Sequence, residues 1–360
     1  MTAVPLVLAV DGGGVKTDLA LLDSSGRLLS FVRGGGSQPH YLGVEGCVDV
    51  VERLLARAFA DAGLGSLERP FASTAQLLLA GADVPEELAA LADGFERLAW
   101  SDRLVIGNDT EALLRAGTDR GWGVAVVCGT GINCLGVAPG GREARFLSFG
   151  PVSGDWGGGT DAGLAALAAA VRAVDGRGPR TTLEGAVSAH FGMSDPLEVA
   201  QAFHLGRLPM ARIGELAPVV LGLCGDDDVA ARIVQRQADE VVAFARAAIR
   251  RLELTDADPD VVLGGRILKA LSALPTVMEA IASGVHQAAP RARVLVTPSD
   301  PIVGAALLGM DALGADAGAI ARARAELDAA VGSLAGGQPP SIDSDSSVAT
   351  STTRRSAPAL

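Results

Sequence analysis

Residues 6–17 read LVLAVDGGGVKT, in which an apolar run over residues 6–10 ends at an aspartate and three glycines. A short apolar run bounded by turn residues is typical of a buried strand that leads into a tight turn. The apolar pattern resumes over residues 19–22 and, after a Ser-Ser-Gly turn, over residues 28–32. These segments predict three consecutive antiparallel strands that open a larger sheet.

Helical and extended patterns alternate in the following part of the chain. Apolar side chains recur every three or four positions over residues 48–59, which predicts a helix. Single strands are predicted over residues 76–80 and 103–106, with a helix over residues 85–95 between them. This alternation predicts an α/β fold with a mixed sheet.

The same order of patterns begins again after residue 118. It comprises three strands around a second glycine turn, a long amphipathic helix and two further strands, predicted over residues 124–128, 132–138, 146–147, 226–252, 260–263 and 293–296. Repetition of one pattern in both halves of a chain indicates two related structural units. From residue 332 the composition shifts to Gly, Pro, Ser, Thr and Asp, which predicts a disordered tail over residues 332–360.

The composition excludes several classes of protein. With 360 residues, of which 49% are hydrophobic, the chain can bury the cores of two packed domains. Its 30 basic and 42 acidic residues give a formal net charge of −12, which argues against a nucleic-acid partner. Four cysteines without a CxxC pair predict neither a zinc site nor a disulfide framework.

No apolar run reaches the roughly 18–20 residues of a membrane span, and residues 1–10 lack a basic leader. We therefore expect a soluble cytoplasmic protein with no membrane partner. The four histidines share no metal-ligand spacing, and no serine lies in a GxSxG motif. The sequence thus predicts neither a histidine metal centre nor a hydrolase with a nucleophile elbow.

The first glycine turn carries side chains that suit a phosphate group. Gly12-Gly13-Gly14 lets the backbone approach an anion and presents successive N–H donors. Asp11 could hold a magnesium ion, and Lys16 and Thr17 could contact phosphate oxygens. The alternative is a plain hairpin turn with an acidic residue at the strand end. Neither GxxxxGK(S/T) nor a GxGxxG turn followed by a helix is present, which argues against those two nucleotide-binding classes.

A second glycine turn, Gly129-Thr130-Gly131, lies between strands of the second half. By itself it could be a tight hairpin. Two such turns, one at the start of each related half, would face each other if the halves pack about a pseudo-twofold axis. A polyphosphate group held between the turns is then the expected ligand.

Asn108-Asp109 follows the predicted strand over residues 103–106 and precedes a helical stretch that begins at Glu111. A carboxylate at a strand end could accept the proton of a hydroxyl nucleophile. Asp or Thr in front of Glu-Ala-Leu-Leu is also a good helix N-cap. From the residues alone, the capping role is favoured for this position.

Two further glycine-rich turns carry candidate binding residues. Asp155 lies among four glycines in residues 154–159 and could accept hydrogen bonds from sugar hydroxyls; the alternative is a flexible connector. Gly264-Gly265 ends the predicted strand over residues 260–263 and could let an adenine or ribose lie against the backbone. The alternative for this pair is an ordinary strand-to-helix turn.

The order and spacing of these motifs resemble those of N-acetylglucosamine kinases in the BadF/BadG/BcrA/BcrD ATPase family. That family also holds the activator ATPases of benzoyl-CoA reductase and hydroxyacyl-CoA dehydratase, and it belongs to the sugar kinase, Hsp70 and actin superfamily. The resemblance spans residues 7–313 and rests on the ordered set Asp11-Gly-Gly-Gly-x-Lys-Thr, Ser37-Gln38-Pro39-His40, Asn108-Asp109, Gly129-Thr130-Gly131-x-Asn133, Gly154-Asp155-x-Gly157 and Leu263-Gly264-Gly265.

The resemblance implies two RNase-H-like domains, of the actin and hexokinase type, with mixed sheets flanked by helices and a cleft between them that closes over ATP and Mg²⁺. The first domain would comprise residues 1–117, with a helix at about residues 302–330 packing back on it. The second would comprise residues 118–301. By the same resemblance, Asp11 would bind the metal, the two glycine turns with Lys16 and Thr17 the phosphates, and Gly264-Gly265 the adenosine.

Asp109 matches the general base of the family, so that the resemblance reverses the preference for a capping role. Gln38, Asn133 and Asp155 fall where the family contacts the sugar. Val15, Gln38 and Trp156 depart from the family, which usually has threonine, asparagine and glutamate at these positions. The last two changes affect the region that reads the sugar, where such differences are worth about 1–3 kcal/mol in selectivity.

The implied activity is that of an ATP-dependent sugar kinase, with the 6-hydroxyl of N-acetylglucosamine as the expected acceptor. Glucosamine, N-acetylmuramic acid, glucose or a cyclitol stay open as acceptors, and a homodimer stays open beside a monomer. A second hypothesis is an ATPase activator of a redox partner, which would need cysteines that bridge an iron–sulfur cluster across a dimer. A third is a sugar sensor without catalysis.

Overall fold

The structure, a computed structural model, describes residues 6–65 and 68–335. Its strands form two five-stranded mixed sheets, and helices flank both of them. The predicted α/β fold is therefore confirmed. The predicted disordered tail lies outside the described residues except for residues 332–335, where the prediction is wrong because the last helix continues through them.

The first sheet is built from residues that precede Asp109. Its strands are β1 (Leu6–Gly12), β2 (Lys16–Asp23), β3 (Leu28–Gly35), β4 (Ala72–Leu79) and β5 (Ser101–Gly107). They lie in the order β3-β2-β1-β4-β5, with β1 antiparallel to β2 and parallel to β4. The helices that follow β3, β4 and β5 are α1 (Pro39–Ala62), α2 (Pro85–Glu96) and α3 (Asp109–Gly117).

The second sheet uses the same order of strands. These are β6 (Gly123–Cys128), β7 (Ile132–Val137), β8 (Glu143–Arg145), β9 (Asp260–Gly264) and β10 (Arg293–Val296). They lie in the order β10-β9-β6-β7-β8, again with three antiparallel strands and two parallel additions beside the first. The predicted repetition of one pattern is therefore confirmed.

Nine α-helices of the described residues follow β8. They are α4 (Gly159–Val174), α5 (Leu183–Phe191), α6 (Pro196–His204), α7 (Ala217–Leu223), α8 (Asp228–Arg251), α9 (Arg266–Leu271), α10 (Pro275–His286), α11 (Pro301–Ala312) and α12 (Ala317–Ala335). Among the helices of residues 6–65 and 68–335, none is both long enough and apolar enough to span a membrane.

One predicted strand is wrong. The apolar pair at residues 146–147 lies just beyond β8, which ends at Arg145. Phe146 and Phe244 of α8 form a T-shaped pair, with ring centroids 5.1 Å apart, and the guanidinium group of Arg251 lies over the Phe146 ring. An aromatic side chain that packs against a helix thus produced an apolar signal without strand pairing.

Strand β1 shows why its sequence is a continuous apolar run. Alternate residues of a strand point to opposite faces of the sheet. Leu6, Leu8 and Val10 belong to the hydrophobic cluster that includes buried residues of α1. Val7 and Ala9 belong to the cluster formed with α11 and α12 on the other face. Because both faces are covered by helices, both sets of positions must be apolar.

Helix α11 joins the end of the chain's second half to the first sheet, since it packs against β1, β4 and α3. A Cβ atom on Gly304 would clash with the carbonyl oxygen of Ala112, so the backbones of α11 and α3 are in direct contact. On another face of α3, Leu113 and Leu114 pack against Val262 of β9. Helix α3 therefore connects the two sheets, while the domain limits stated above stay a prediction.

We predict that Gly304→Ala lowers the free energy of unfolding by about 2–3 kcal/mol, because the added methyl group forces α11 away from α3. Urea titration followed by circular dichroism measures this change. Gly222→Ala is the matched control, because Gly222 is an exposed position of α7 with no atom within 4 Å of an added Cβ. This control should be neutral or stabilising by up to about 1 kcal/mol. Equal stabilities of the two variants would contradict the close approach of the helices.

Candidate functional site

A cavity of about 430 Å³, which we call the cleft, is lined by residues of both halves of the chain. The turns after β1, β4, β6 and β9 contribute to it, together with the starts of α3 and α11. The residues that line it include Asp11, Gly13, Gly14, Val15, Lys16, Arg33, Gln38, Asp83, Asp109, Gly129, Thr130, Gly131, Asn133, Ser148, Gly265, Lys269 and Asp300.

The two glycine turns face each other across this cleft. A Cβ atom on Gly14 would lie 3.7 Å from Oγ1 of Thr130. Each turn is closed by one backbone bond: Gly13 N–H donates to Lys16 O at 2.9 Å, and Gly129 N–H donates to Gly131 O at 2.9 Å. Such turns leave further backbone N–H groups for a ligand.

Four backbone N–H groups at these turns have no acceptor among the described residues: those of Gly14, Val15, Thr130 and Gly131. They lie at the tips of the turns, and all four residues line the cleft. Successive N–H donors from a glycine turn form a binding site for an anion. The geometry therefore fits a phosphate chain held from both sides.

Two predicted phosphate residues lie behind the first turn and do not line the cleft. Thr17 is fully buried, and its Oγ1 donates to Oγ of Ser37 at 2.8 Å. A Cβ atom on Gly12 would meet the side chains of Leu79 and Ser37 at 2.5 Å, so the absence of a side chain here leaves room for them. In this structure both residues shape the turn and do not reach the cavity.

Lys16 does line the cleft, but its ammonium group is paired with carboxylates. Its Nζ lies 2.5 Å from Oδ2 of Asp18 and 3.2 Å from Oδ2 of Asp300. Lys269 donates to Oδ1 of Asp300 at 2.6 Å, and Arg33 lies 3.3 Å from its Oδ2. Asp300, just before α11, thus pairs with cationic side chains from both halves of the chain.

Asp11 is the penultimate residue of β1 and lines the cleft, with 7% of its surface exposed. Burial raises the pKa of its carboxyl group to about 8, although nearby Lys16 acts in the opposite direction. A bound cation would favour the ionised carboxylate. In the part of the chain that the structure describes, no group of three or more His, Cys, Asp or Glu residues could hold a metal ion by itself.

Asp109 is the first residue of α3, and it is not the helix cap. Asn108 is the N-cap, because its Oδ1 accepts hydrogen bonds from N–H and Oγ1 of Thr110 at 3.0 and 2.6 Å. The capping alternative for Asp109 is therefore wrong, and its carboxyl group lines the cleft. Burial, and then the charge of Asp83, raise its pKa to about 7.

Of the two glycines predicted to contact adenosine, Gly265 lines the cleft and Gly264 does not. Gly265 lines the cleft with φ +90°, a conformation that favours glycine, and a Cβ atom there would clash with the backbone of Cys128. Gly264 lies behind it, where a Cβ atom would clash with Leu113. Only the second glycine of the pair reaches the cavity.

Of the three predicted sugar residues, Gln38 and Asn133 line the cleft and Asp155 does not. The Asp155 carboxylate accepts a hydrogen bond from Oγ of Ser153, and its N–H donates to Gly150 O at 2.9 Å. These bonds hold Asp155 within its own loop. The neighbouring Trp156 lies under the guanidinium group of Arg236, at 4.1 Å from the ring centroid.

The sequence interpretation missed several residues of the cleft: Arg33, Asp83, Ser148, Lys269 and Asp300. Asp83 had a usable signal, because it follows the predicted strand over residues 76–80. The chain has only two lysines, and both of them line the cleft. Ser148, with φ +54° and a buried Oγ without a partner among the described residues, gave no sequence signal.

Residues 8–309 match the model of the BadF/BadG/BcrA/BcrD ATPase family. The chain is 27% identical over 271 residues to the N-acetylmuramic acid/N-acetylglucosamine kinase of Clostridium acetobutylicum, covering 74% of this chain and 87% of that protein. It is 25% identical over 325 residues to the N-acetyl-D-glucosamine kinase of Dictyostelium discoideum, covering 85% and 98%.

Solved structures show the same fold. A candidate N-acetylglucosamine kinase from Chromobacterium violaceum superposes with a TM-score of 0.68 at 27% identity, covering 85% of this chain and 99% of that one. The ROK family glucokinase of Streptomyces griseus, solved with glucose and AMPPNP, superposes with a TM-score of 0.52 at 19% identity, covering 86% and 98%.

We predict that Asp300→Asn lowers the free energy of unfolding at pH 6–7 by about 1–2 kcal/mol. Burial disfavours the Asp300 charge, but Lys16 and Lys269 outweigh it and lower its pKa to about 2. The stabilisation is therefore present above pH 4 and is lost as the pH falls towards 2. Urea titrations at pH 7, 4 and 3 should show a difference from the native chain that shrinks with acid. The exposed Asp239→Asn is the control, and a pH-independent difference at Asp300 would contradict the ion pairs.

Proposed function

The chain belongs to the BadF/BadG/BcrA/BcrD ATPase family, and on that premise we propose that it transfers the γ-phosphoryl group of ATP to an amino sugar. Its relatives are named as kinases of N-acetylglucosamine or N-acetylmuramic acid, so it is a carbohydrate kinase. One observation carries the proposal: two facing glycine turns and the carboxylate of Asp109 share a single cleft.

The phosphate chain of ATP would lie between the two turns. The N–H groups of Gly14 and Val15 on one side, and of Thr130 and Gly131 on the other, would donate to its oxygens. Gly265, which lines the cleft, would contact the adenosine through its backbone. Positioning and charge stabilisation of this kind provide most of the catalysis in phosphoryl transfer.

Mg²⁺ is the expected companion of ATP, and the donor set fits it. Asp11 supplies one carboxylate beside the first turn. Mg²⁺ commonly combines one or two carboxylates with phosphate oxygens and water. This agrees with the lack of a three-ligand metal site in the described residues. When bound, the ion would neutralise charge on the phosphate oxygens.

Asp109 would act as the general base. A pKa of about 7 leaves a substantial fraction of the carboxyl group ionised at neutral pH, and it makes that carboxylate a stronger base than an exposed aspartate. Its position at the start of α3, two residues after β5, brings it into the same cleft as both glycine turns. Asp109 would take the proton of the sugar hydroxyl as that oxygen attacks the γ-phosphorus.

The acceptor we propose is the 6-hydroxyl of N-acetylglucosamine, a primary alcohol that can extend from the ring towards Asp109. Gln38 and Asn133 line the cleft from opposite halves of the chain, and Gln38 would contact the sugar. Two domains with the predicted limits 1–117 and 118–301 would close over both substrates and exclude water. Water exclusion is needed because water in the cleft would compete with the sugar for the phosphoryl group.

The redox-activator alternative is not favoured by the cysteines. Cys47, Cys128 and Cys134 are buried, and only Cys224 is partly exposed. Burial raises the pKa of the Cys47 thiol to about 11 and that of the Cys128 thiol still further. Thiols in such surroundings do not ionise readily, whereas iron–sulfur ligands are thiolates.

A panel of acceptors tests the proposal directly. ADP release should depend on added sugar, with N-acetylglucosamine giving the highest kcat/KM among glucosamine, N-acetylmuramic acid, glucose and a cyclitol. Phosphorus–proton coupling in the NMR spectrum of the product should place the phosphate on the 6-oxygen. ADP release that no sugar accelerates would overturn the kinase proposal. Coupling of the phosphorus to a proton on a carbon other than C6 would overturn the 6-hydroxyl assignment.

We expect Asp109→Asn to reduce kcat by about 10²–10⁴-fold, because the amide cannot accept the hydroxyl proton. The dissociation constant for MgATP, measured by titration calorimetry, should stay within about threefold of that of the native chain. Asp102→Asn is a matched control, since Asp102 is exposed near the opposite end of β5. Retention of most of the phosphotransfer rate by Asp109→Asn would exclude its role as the base.

A further inference from the structure

Asp83 is a cleft residue to which the proposed mechanism gives no role. It lies between β4 and α2, at the same edge of the first sheet as Asp11 and Asp109. Its backbone N–H donates to Oε2 of Glu87 at 2.9 Å, which fixes the course of the turn. Its position is therefore set by the start of α2, independently of its own carboxyl group.

One oxygen of the Asp83 carboxylate joins the two halves of the chain. Its Oδ1 accepts hydrogen bonds from Nδ2 of Asn108 at 2.8 Å and from Nδ2 of Asn133 at 3.0 Å. Asn108 caps α3 beside the first sheet, whereas Asn133 lies on β7 of the second. The other oxygen, Oδ2, accepts no hydrogen bond from any described residue, although a carboxylate oxygen can accept two.

The same contacts occupy the amide of Asn133, which was expected to bind the sugar. Its two amide hydrogens serve Oδ1 of Asp83 and Oδ1 of Asn108, at 3.0 and 3.3 Å. Its own Oδ1 accepts from the N–H of Cys134 at 2.7 Å. With the donors of Asn133 occupied, the free polar atom of this cluster is Oδ2 of Asp83.

The charges around Asp83 leave it able to accept a hydrogen bond at neutral pH. Burial and then Glu87 raise its pKa to about 6, while His40 and the two asparagine amides lower it. His40 is itself held by Glu87, with Nε2 2.7 Å from Oε1. The carboxylate is thus mostly ionised above pH 6, and an ionised carboxylate is a strong acceptor for a hydroxyl group.

Resting on the kinase function proposed above, we propose that Asp83 determines acceptor specificity by binding a second hydroxyl of the sugar through Oδ2. Oδ1 meanwhile holds Asn108 and Asn133, so the contact with the sugar is linked to the contact between the halves. A sugar that lacks this hydroxyl would leave the carboxylate oxygen desolvated and without a partner. The substrate class that follows is an acceptor with two correctly spaced hydroxyls, one for Asp109 and one for Asp83.

The test combines Asp83→Asn with deoxy acceptors, since the side-chain oxygen of asparagine can still accept from Asn108 and Asn133. Native protein and variant are assayed with N-acetylglucosamine and with its 3-deoxy and 4-deoxy analogues. For the intact sugar we expect kcat/KM to fall by about 10–100-fold in the variant. For the analogue that lacks the contacted hydroxyl it should fall by less than about threefold. KM for MgATP and the thermal unfolding midpoint should stay unchanged.

Equal losses on all three acceptors would mean that Asp83 acts on the structure alone, and this result overturns the inference. Asp93→Asn, an exposed substitution on α2, is the control for the change of charge and should match the native chain on every acceptor. Failure of the native chain to phosphorylate any sugar would overturn the kinase proposal itself. An active native chain without coupling between Asp83 and a deoxy position would overturn only the role of Asp83.

Discussion

Two backbone turns can hold one phosphate chain only if two sheets present the same edge to a common space. The strand order β3-β2-β1-β4-β5 and its counterpart β8-β7-β6-β9-β10 meet this requirement, because each places its glycine turn after its first strand. Helix α3 fixes their relation, since it contacts α11 at Gly304 and β9 at Val262. The packing of α3 against α11 and β9 thus helps to place the N–H groups of the two glycine turns opposite each other.

The four aspartates of the cleft differ in how their surroundings affect the ionisation of their carboxyl groups. Asp11, Asp83 and Asp109 have pKa values raised mainly by burial, whereas Asp300 is held ionised by Lys16 and Lys269. Carboxyl groups with raised pKa values, such as those of Asp11 and Asp109, suit roles in which a carboxylate takes up a proton or binds a cation. The N–H groups at the tips of the two glycine turns have no acceptor among the described residues, whereas the nearby ammonium groups are already paired. The proposed need for Mg²⁺ follows from the same charges.

Local patterns predicted the parts of the fold that local physics determines. The run over residues 6–10 revealed β1 because both of its faces are buried, and the repeated glycine turns revealed the two halves. Side-chain contacts between distant segments could not be predicted in the same way. Asp300 meets Lys16 across 284 positions of sequence, and the loop of Asp155 turns its carboxylate towards Ser153. The cap at Asn108 was missed because Asn, Asp and Thr in succession all suit that role.

Both lysines of the chain lie in the cleft. Apart from its terminal amine, the chain carries primary amines only at Lys16 and Lys269, and both converge on Asp300. Arginine provides the remaining positive charge, and guanidinium groups do not react as amines do. Acylating or cross-linking reagents directed at amines would therefore find few targets on the outer surface. Their attachment to side chains would instead report on the cleft, which both lysines line with about a third of each side chain exposed.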